Sequence, residues 1–523
     1  MRGETSRANE PEGHRFASAC IATPHYLATH AGAAVLRAGG NAVDAAITAN
    51  LVLGVVAPYT CGIGGDCFAI IWDGALHGYN GSGRAPAAAT PDAVAKHLSP
   101  ASDPAMPRHG PLSITVPGAV DAWFALLERF GTRSFADLAE PAIAYAADGF
   151  PLTAAGATRI RGGQPVDSGW GAWEEIYGRA GPGVRLTQPA LARTLRAVAA
   201  GGPDAFYRGD IAGAVATHVQ SLGGLLDAAD LARHRGEWVE PLEGRYRDLT
   251  VAELPPNSQG SAALVALHLL DQAGPLPPDG PERQHALIEA VAIALAERDA
   301  HLTDPVHMRV PPGALADPAH AKAITAGSAP VAGAARSGGG DTAYLCAVDG
   351  SGLCISLIQS NYSGFGSGVT VPGWGINLHN RGAYFRLDPE HVNVIAPGKR
   401  TLHTLMPAFA RRDGRPWLVF GTMGADGQLQ TQVQLLARLV DDGADPAVAL
   451  TAPRWLVDPG DFSVQIESRF PPAVLDGLRE LGHRVQTVGP FEDVMGHAHL
   501  VRLDGDGLTA ASDPRCEGLA AGV

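Results

Sequence analysis

Three glycines lead into an aspartate and a threonine at Gly338-Gly339-Gly340-Asp341-Thr342. A threonine hydroxyl becomes a useful nucleophile when a base removes its proton, and its own α-amine can do so once the preceding peptide bond is cut. That amine has an unperturbed pKa of about 7.7–8.0, near working pH, whereas a lysine reaches that range only by desolvation. The chemistry would be attack on an amide through an acyl-enzyme. It requires a cleavable bond before Thr342, a pliant segment ahead of it and a strand that buries the new terminus. Residues 326–340 are rich in Gly, Ala and Ser and carry no periodicity; they read as a linker or mobile loop.

Other catalytic signatures fail. The sequence contains no H-E-x-x-H, no G-x-x-x-x-G-K-[ST] and no G-x-S-x-G. Gly62-Ile63-Gly64-Gly65-Asp66-Cys67 begins like a dinucleotide fingerprint but lacks the third glycine and precedes a strand rather than a helix. His497 and His499 could share a strand face, with Glu492 or Asp493 nearby. Without tighter ligand spacing they read as packed or surface residues, and neither a metal nor a cofactor is expected.

The elements around Thr342 are legible. Thr342–Val348 and Leu353–Ile358 flank Asp349-Gly350-Ser351-Gly352, the pattern of a β-hairpin. A three-residue Gly-Ser-Gly loop pairs Val348 with Cys354 and, counting outward, Thr342 with Ser360; a two-residue turn would shift this register by one. Upstream, helical spacing from Leu27 breaks at Gly39-Gly40-Asn41 and resumes from Ala42 to Val56, which predicts two helices packed through small faces. A strand is expected at Cys67–Trp72. Asp227 and Asp230 suit a cap and first turn, and Pro141 suits a first helical position.

Composition narrows the class. The chain has 523 residues, 46% hydrophobic and 18% charged, with a net charge of −14. Such a chain buries a sizeable core, and no eighteen-residue apolar run predicts a membrane span. The acidic balance, without a long basic run, argues against nucleic acid as partner. Six cysteines are too few for a disulfide framework, and none form a C-x-x-C pair. The first ten residues are polar, so no secretory signal and a cytoplasmic location are expected.

Taken in order, several segments resemble the γ-glutamyltranspeptidase family of N-terminal-nucleophile hydrolases. They are residues 38–46 (Ala-Gly-Gly-Asn-Ala-Val-Asp-Ala-Ala), Gly62-Ile63-Gly64-Gly65, Val116-Pro117-Gly118, Phe206-Tyr207-Arg208-Gly209, Asp341-Thr342, Pro397-Gly398-Lys399-Arg400 and Ser512-Asp513-Pro514-Arg515. The resemblance implies an α+β fold, a four-layer αββα sandwich. It also implies a precursor cut between Asp341 and Thr342 into residues 1–341 and 342–523, which form one intertwined domain. By position, Thr342 is the nucleophile, Ser360 replaces a supporting threonine that bonds its amine, and Gly424-Ala425 replaces a Gly-Gly oxyanion hole. Backbone N–H groups do that work, so an alanine is compatible if its dihedrals allow.

The departures concern the substrate. A family arginine that holds the glutamyl carboxylate aligns with Ser82, with Arg84 two positions later. The aspartate for the glutamyl amino group aligns with Tyr384, an asparagine becomes Tyr362, and a serine pair becomes His403-Thr404. Arg381 and His403 are new polar groups there, and with Arg84 they favour a carboxylate-bearing acyl group without an ammonium; the competing reading of Arg381 is a surface ion pair. With Asn380-Arg381-Gly382-Ala383, the pattern is similar to the cytoplasmic branch that holds oxamate amidohydrolase and glutaryl-cephalosporin acylases. The expected partners are a small acyl amide, the protein's own two chains and a second copy in a homodimer. A true γ-glutamyl hydrolase or transferase, and an unprocessed binding homologue, are the alternatives.

Overall fold

The computed structural model describes residues 11–98, 105–325, 340–505 and 507–523. The small-residue stretch expected to be pliant, 326–340, lies outside the described residues except for Gly340.

Alternation along the strands builds the layers. On the strand Asp341–Val348, Ala343, Leu345 and Ala347 belong to one buried cluster, with the helices Tyr26–Arg37 and Ala42–Val56. Tyr344, Cys346 and Val348 belong to another, with Phe409, Val419 and Val501 of a second sheet. Successive side chains point to opposite faces, so this strand is covered by helices on one side and by strands on the other. The second sheet repeats the arrangement: Ala408, Ala410, Leu418 and Phe420 face the helices Gly260–Ala273, Pro281–His301 and Gly427–Leu436, while Phe409 and Val419 face the first sheet. The result is the expected four-layer αββα sandwich.

Both sheets are seven-stranded and antiparallel among the described residues. The first runs Leu519–Gly522, Cys20–Thr23, Asp341–Val348, Cys354–Tyr362, Asp66–Trp72, Leu76–Asn80, Glu237–Val239. The second runs His14–Phe16, Gly507–Ser512, Ala498–Asp504, Arg415–Thr422, Ala408–Arg412, Leu249–Glu253, Leu242–Tyr246. Strands from both ends of the chain therefore interleave in each sheet. Among the described residues no helix is long and apolar enough to cross a membrane.

The two early helices meet as expected. Gly39 takes φ +80° at the break, and Asn41 and Asp44 cap the second helix reciprocally. A methyl on Gly32 would lie 2.5 Å from Ile21 and 3.0 Å from the Ala45 carbonyl, so the close approach needs a glycine. Asp227 and Asp230 form a second capping box. Pro141 differs from expectation: the helix Phe135–Asp148 is capped by Ser134 and runs through the proline. The cost is one missing N–H to the Asp137 carbonyl.

Candidate active site

Thr342 is fixed by the hairpin. Val348 pairs with Cys354 and Ala343 with Gln359, the register of a three-residue loop, with Gly352 at φ +87°. One step further the ladder shifts, because Asp341 pairs with Tyr362. Two residues, Ser360 and Asn361, thus oppose Thr342 alone, which is a β-bulge. The hydroxyl pair survives it: Thr342 Oγ1 and Ser360 Oγ are 2.9 Å apart. Both residues are buried.

The proton directions follow from the partners. The Tyr362 N–H donates to Ser360 Oγ at 2.7 Å, and the Asp341 carbonyl lies 2.9 Å from the same oxygen. A carbonyl only accepts, so the single Ser360 proton goes to Asp341. Thr342 must then donate to Ser360. The result is a directed chain, from the Thr342 hydroxyl through the Ser360 hydroxyl to the carbonyl of the residue before Thr342. Here Ser360 holds the hydroxyl of Thr342, whose nitrogen is a peptide amide rather than the free amine of the family role.

The glycines of Gly62-Ile63-Gly64-Gly65 let the chain lie against this strand. A methyl on Gly65 would sit 2.5 Å from the Ser360 carbonyl, and one on Gly64 2.2 Å from that of Asn377. Asp66 follows directly and anchors the neighbouring loops, accepting from the N–H groups of Gly83 and Gly118. Its other oxygen is 3.0 Å from His403 Nε2 and 3.4 Å from His379 Nδ1. Against the cost of burial, these histidines hold its carboxyl far below the usual carboxylate range.

His403 is neutral in spite of that carboxylate. Its Nδ1 accepts from the Leu405 N–H at 3.2 Å, so the proton sits on Nε2 and is donated to Asp66. Burial and the nearby Arg381 push its pKa down to about 3. The expected cationic role of His403 is corrected: it positions the loop and supplies no charge.

Arg381 is buried, not a surface ion pair. It sits at the start of the short turn Arg381–Tyr384, donates to Thr404 Oγ1 at 3.0 Å, and has its guanidinium 4.7 Å from the Tyr362 ring centre and 5.5 Å from that of Tyr384. Its Nε and Nη2 have no partner, and among the described residues no carboxylate pairs with it. Desolvation lowers its pKa. Two aromatic faces and one hydroxyl thus hold a cation whose two-point fork is empty.

Tyr384 donates to Asp426 at 3.1 Å. That carboxylate also accepts from Arg298 at 2.6 Å, a guanidinium it shares with Asp299 at 2.8 Å. Gln259 links the same corner, donating to the carbonyls of Thr404 and Ala425. Asp66, Asp426, Gln259 and Arg298 were not singled out as site residues from sequence. The available signal was position, since each aspartate directly follows a glycine-containing site motif.

Gly424 and Ala425 lie between the strand Arg415–Thr422 and the helix Gly427–Leu436. Gly424 takes φ +128° and Ala425 φ +48°, so the alanine occupies the left-handed region. Among the described residues neither N–H donates a hydrogen bond, and both precede a helix N-terminus, where the dipole favours negative charge. Gly340 reaches this corner: a methyl on it would lie 2.7 Å from the Ala425 Cβ and 2.8 Å from the Tyr362 carbonyl. Thr342, Ser360, Tyr362, Arg381, Tyr384, His403, Thr404, Gly424 and Ala425 therefore form one linked cluster.

Arg84 does not join it. It is 40% exposed and pairs with Glu237 at 2.9 Å and Asp304 at 3.1 Å, so its charge is spent elsewhere. His497 and His499 also diverge: the first pairs with Asp493, and the second bonds Ser512 at 2.8 Å and stacks on Tyr344. Asp341 lines a cavity of about 450 Å³ with Arg108, Arg159 and Asp493. Burial, reinforced by Asp493, raises its pKa to about 6.

Comparisons with known proteins agree with this geometry. The Gamma-glutamyltranspeptidase family model matches residues 28–523. The chain is 38% identical to the glutathione hydrolase-like YwrD proenzyme of Bacillus subtilis, over 96% of this chain and 98% of that one. It is 39% identical to the oxamate amidohydrolase proenzyme of Klebsiella pneumoniae, over 95% and 97%. The crystal structure of a cephalosporin acylase from Bacillus halodurans superposes with a TM-score of 0.91 at 36% identity, covering 100% of this chain and 99% of that one. Sequence, fold and site together place the chain in the γ-glutamyltranspeptidase family of hydrolases and acyltransferases.

Proposed function

We propose that this protein is a self-processing threonine amidohydrolase that cuts its own chain before Thr342 and then hydrolyses small amides whose acyl group carries a carboxylate. The observation that carries the reading is the directed chain Thr342–Ser360–Asp341. In maturation, Thr342 Oγ attacks the Asp341 carbonyl carbon. Its proton passes to Ser360 Oγ, and the Ser360 proton passes to the developing oxyanion. The C–N bond then breaks, the Thr342 nitrogen takes a proton, and water hydrolyses the resulting ester. The products are a carboxylate at Asp341 and a free amine on Thr342. Gly340 rests on Ala425 in the uncut chain, so departure of this segment opens the corner where an acyl group must bind.

In turnover the freed amine takes the hydroxyl proton, Thr342 attacks the substrate, and the N–H groups of Gly424 and Ala425 meet the oxyanion. Arg381 receives the distal carboxylate through its empty fork. A γ-glutamyl group adds an ammonium, and the neighbouring Asp426 carboxylate is already engaged by Arg298 and Tyr384. Burying that ammonium unpaired predicts a preference of at least about tenfold, ~1.4 kcal/mol, for glutaryl over γ-glutamyl anilide in kcat/KM. Oxamyl, glutaryl and γ-glutamyl amides assayed on one preparation test this. A faster γ-glutamyl reaction would return the protein to the parent activity.

A further inference from the structure

Away from the active site, two histidines and a glutamate converge between two helices. His285 and Glu289 stand four residues apart on the helix Pro281–His301, so they share one face. His483 follows the helix Pro472–Glu480. Its Nε2 lies 2.8 Å from His285 Nδ1 and 3.9 Å from Glu289 Oε1, and the three ligand atoms lie within 4.8 Å of one another.

The backbone holds them there. A methyl on Gly477 would lie 2.5 Å from Pro281, so that glycine lets the two helices close. Gly482 takes φ +94°, and the His483 N–H donates to the Leu478 carbonyl, closing the helix end and aiming the ring. Imidazole nitrogens and one carboxylate suit Zn²⁺ better than Mg²⁺ or Ca²⁺, which take oxygen. With Zn–N bonds of about 2.0–2.1 Å, tetrahedral ligand atoms stand ~3.3 Å apart. The observed 2.8 and 3.9 Å straddle that value and the third pair lies within 4.8 Å, so closure asks the exposed Glu289 side chain to swing inward.

We propose that His285, Glu289 and His483 form a Zn²⁺ site, with water in the fourth position, that pins the helix Pro281–His301 to the segment after Pro472–Glu480. Its ligands come from both sides of the Asp341–Thr342 bond. On the self-cleavage reading above, the ion would also tie the two chains together.

The test titrates Zn²⁺ into the full chain against a chromophoric chelator, with Co²⁺ as a spectroscopic probe. One equivalent should bind, and Co²⁺ should give a visible ligand-field band. Loss of an outer-shell partner alone costs about 10–100-fold in metal affinity, so His285→Gln and His483→Gln should each cost at least about tenfold. Exposed His307→Gln should match wild type, and melting without metal checks that each variant folds. Uncut Thr342→Ala protein should bind Zn²⁺ equally, so failure of self-cleavage is distinguishable from failure of the site. Absence of micromolar binding, or equal uptake by the His285 and His483 variants, would overturn the proposal.

Discussion

The surroundings of Asp513 and of Arg381 both bury arginine, and they do it in opposite ways. Around Asp513, Arg454 and Arg515 share the carboxylates of Asp513 and Glu467, Arg515 meeting Glu467 through both ends of its fork at 2.9 Å. Asp513 also accepts from the N–H groups of Ala498 and Arg515. Despite burial, the two arginines hold its pKa down at about 2. Around Arg381 there are one hydroxyl and two aromatic rings, and among the described residues no carboxylate pairs with it. A fully partnered network holds structure, whereas an unpartnered buried cation costs stability and is kept where an incoming anion completes it. The contrast separates the Asp513-Pro514-Arg515 motif, whose charges are paired within the fold, from Arg381, whose pairing the proposed function leaves to the substrate.

Removing charge should therefore have opposite consequences in the two regions. Asp513→Ala strands the buried Arg454 guanidinium, while Arg515 keeps Glu467, and should cost about 3–5 kcal/mol, a large share of a typical 5–15 kcal/mol. Chemical denaturation of the purified variant measures it, and a loss below about 1 kcal/mol would remove the distinction. Arg381→Met should leave the denaturation midpoint unchanged or raised, yet lower kcat/KM for both glutaryl and γ-glutamyl anilide, which share the distal carboxylate. A strongly destabilised variant would make Arg381 structural after all.

Smaller effects sharpen the picture. Ser360→Ala removes the link between the Thr342 hydroxyl and the Asp341 carbonyl, at a cost of about 1.5–3 kcal/mol, or one to two orders of magnitude in rate. A time course of chain cleavage should show it, and an unchanged rate would make Ser360 mere packing. Arg84→Ala breaks an exposed pair with Glu237 and a second with Asp304, whose buried carboxylate keeps the Val306 and Arg400 N–H groups, and should leave kcat/KM unaltered for both anilides. A fall for both in that variant would put Arg84 back in the acyl pocket.

Much of the scaffold was readable because local rules acted alone. The Gly350-Ser351-Gly352 loop set the hairpin register, and Asn41 and Asp227 marked their helix starts. Pro141 misled because the Ser134 cap and the packed face outweigh one missing N–H. The substrate side was harder, since Arg84, Arg381 and His403 all read as cations near a motif. Their roles diverge through surroundings distant in sequence: Glu237 and Asp304 neutralise Arg84, burial and the nearby Arg381 keep His403 neutral beside Asp66, and among the described residues no carboxylate pairs with Arg381. Charge pairing of this kind is a tertiary property, and spacing along the chain does not encode it.

The central claim is that Thr342 becomes an N-terminus by its own chemistry. Intact-mass measurement on purified wild type and Thr342→Ala under denaturing conditions tests it most directly. Wild type should resolve into two chains, residues 1–341 and 342–523, while Thr342→Ala remains one inactive chain. Wild type that stays whole and still hydrolyses amides, or a Thr342→Ala chain cut at the same bond, would contradict the account.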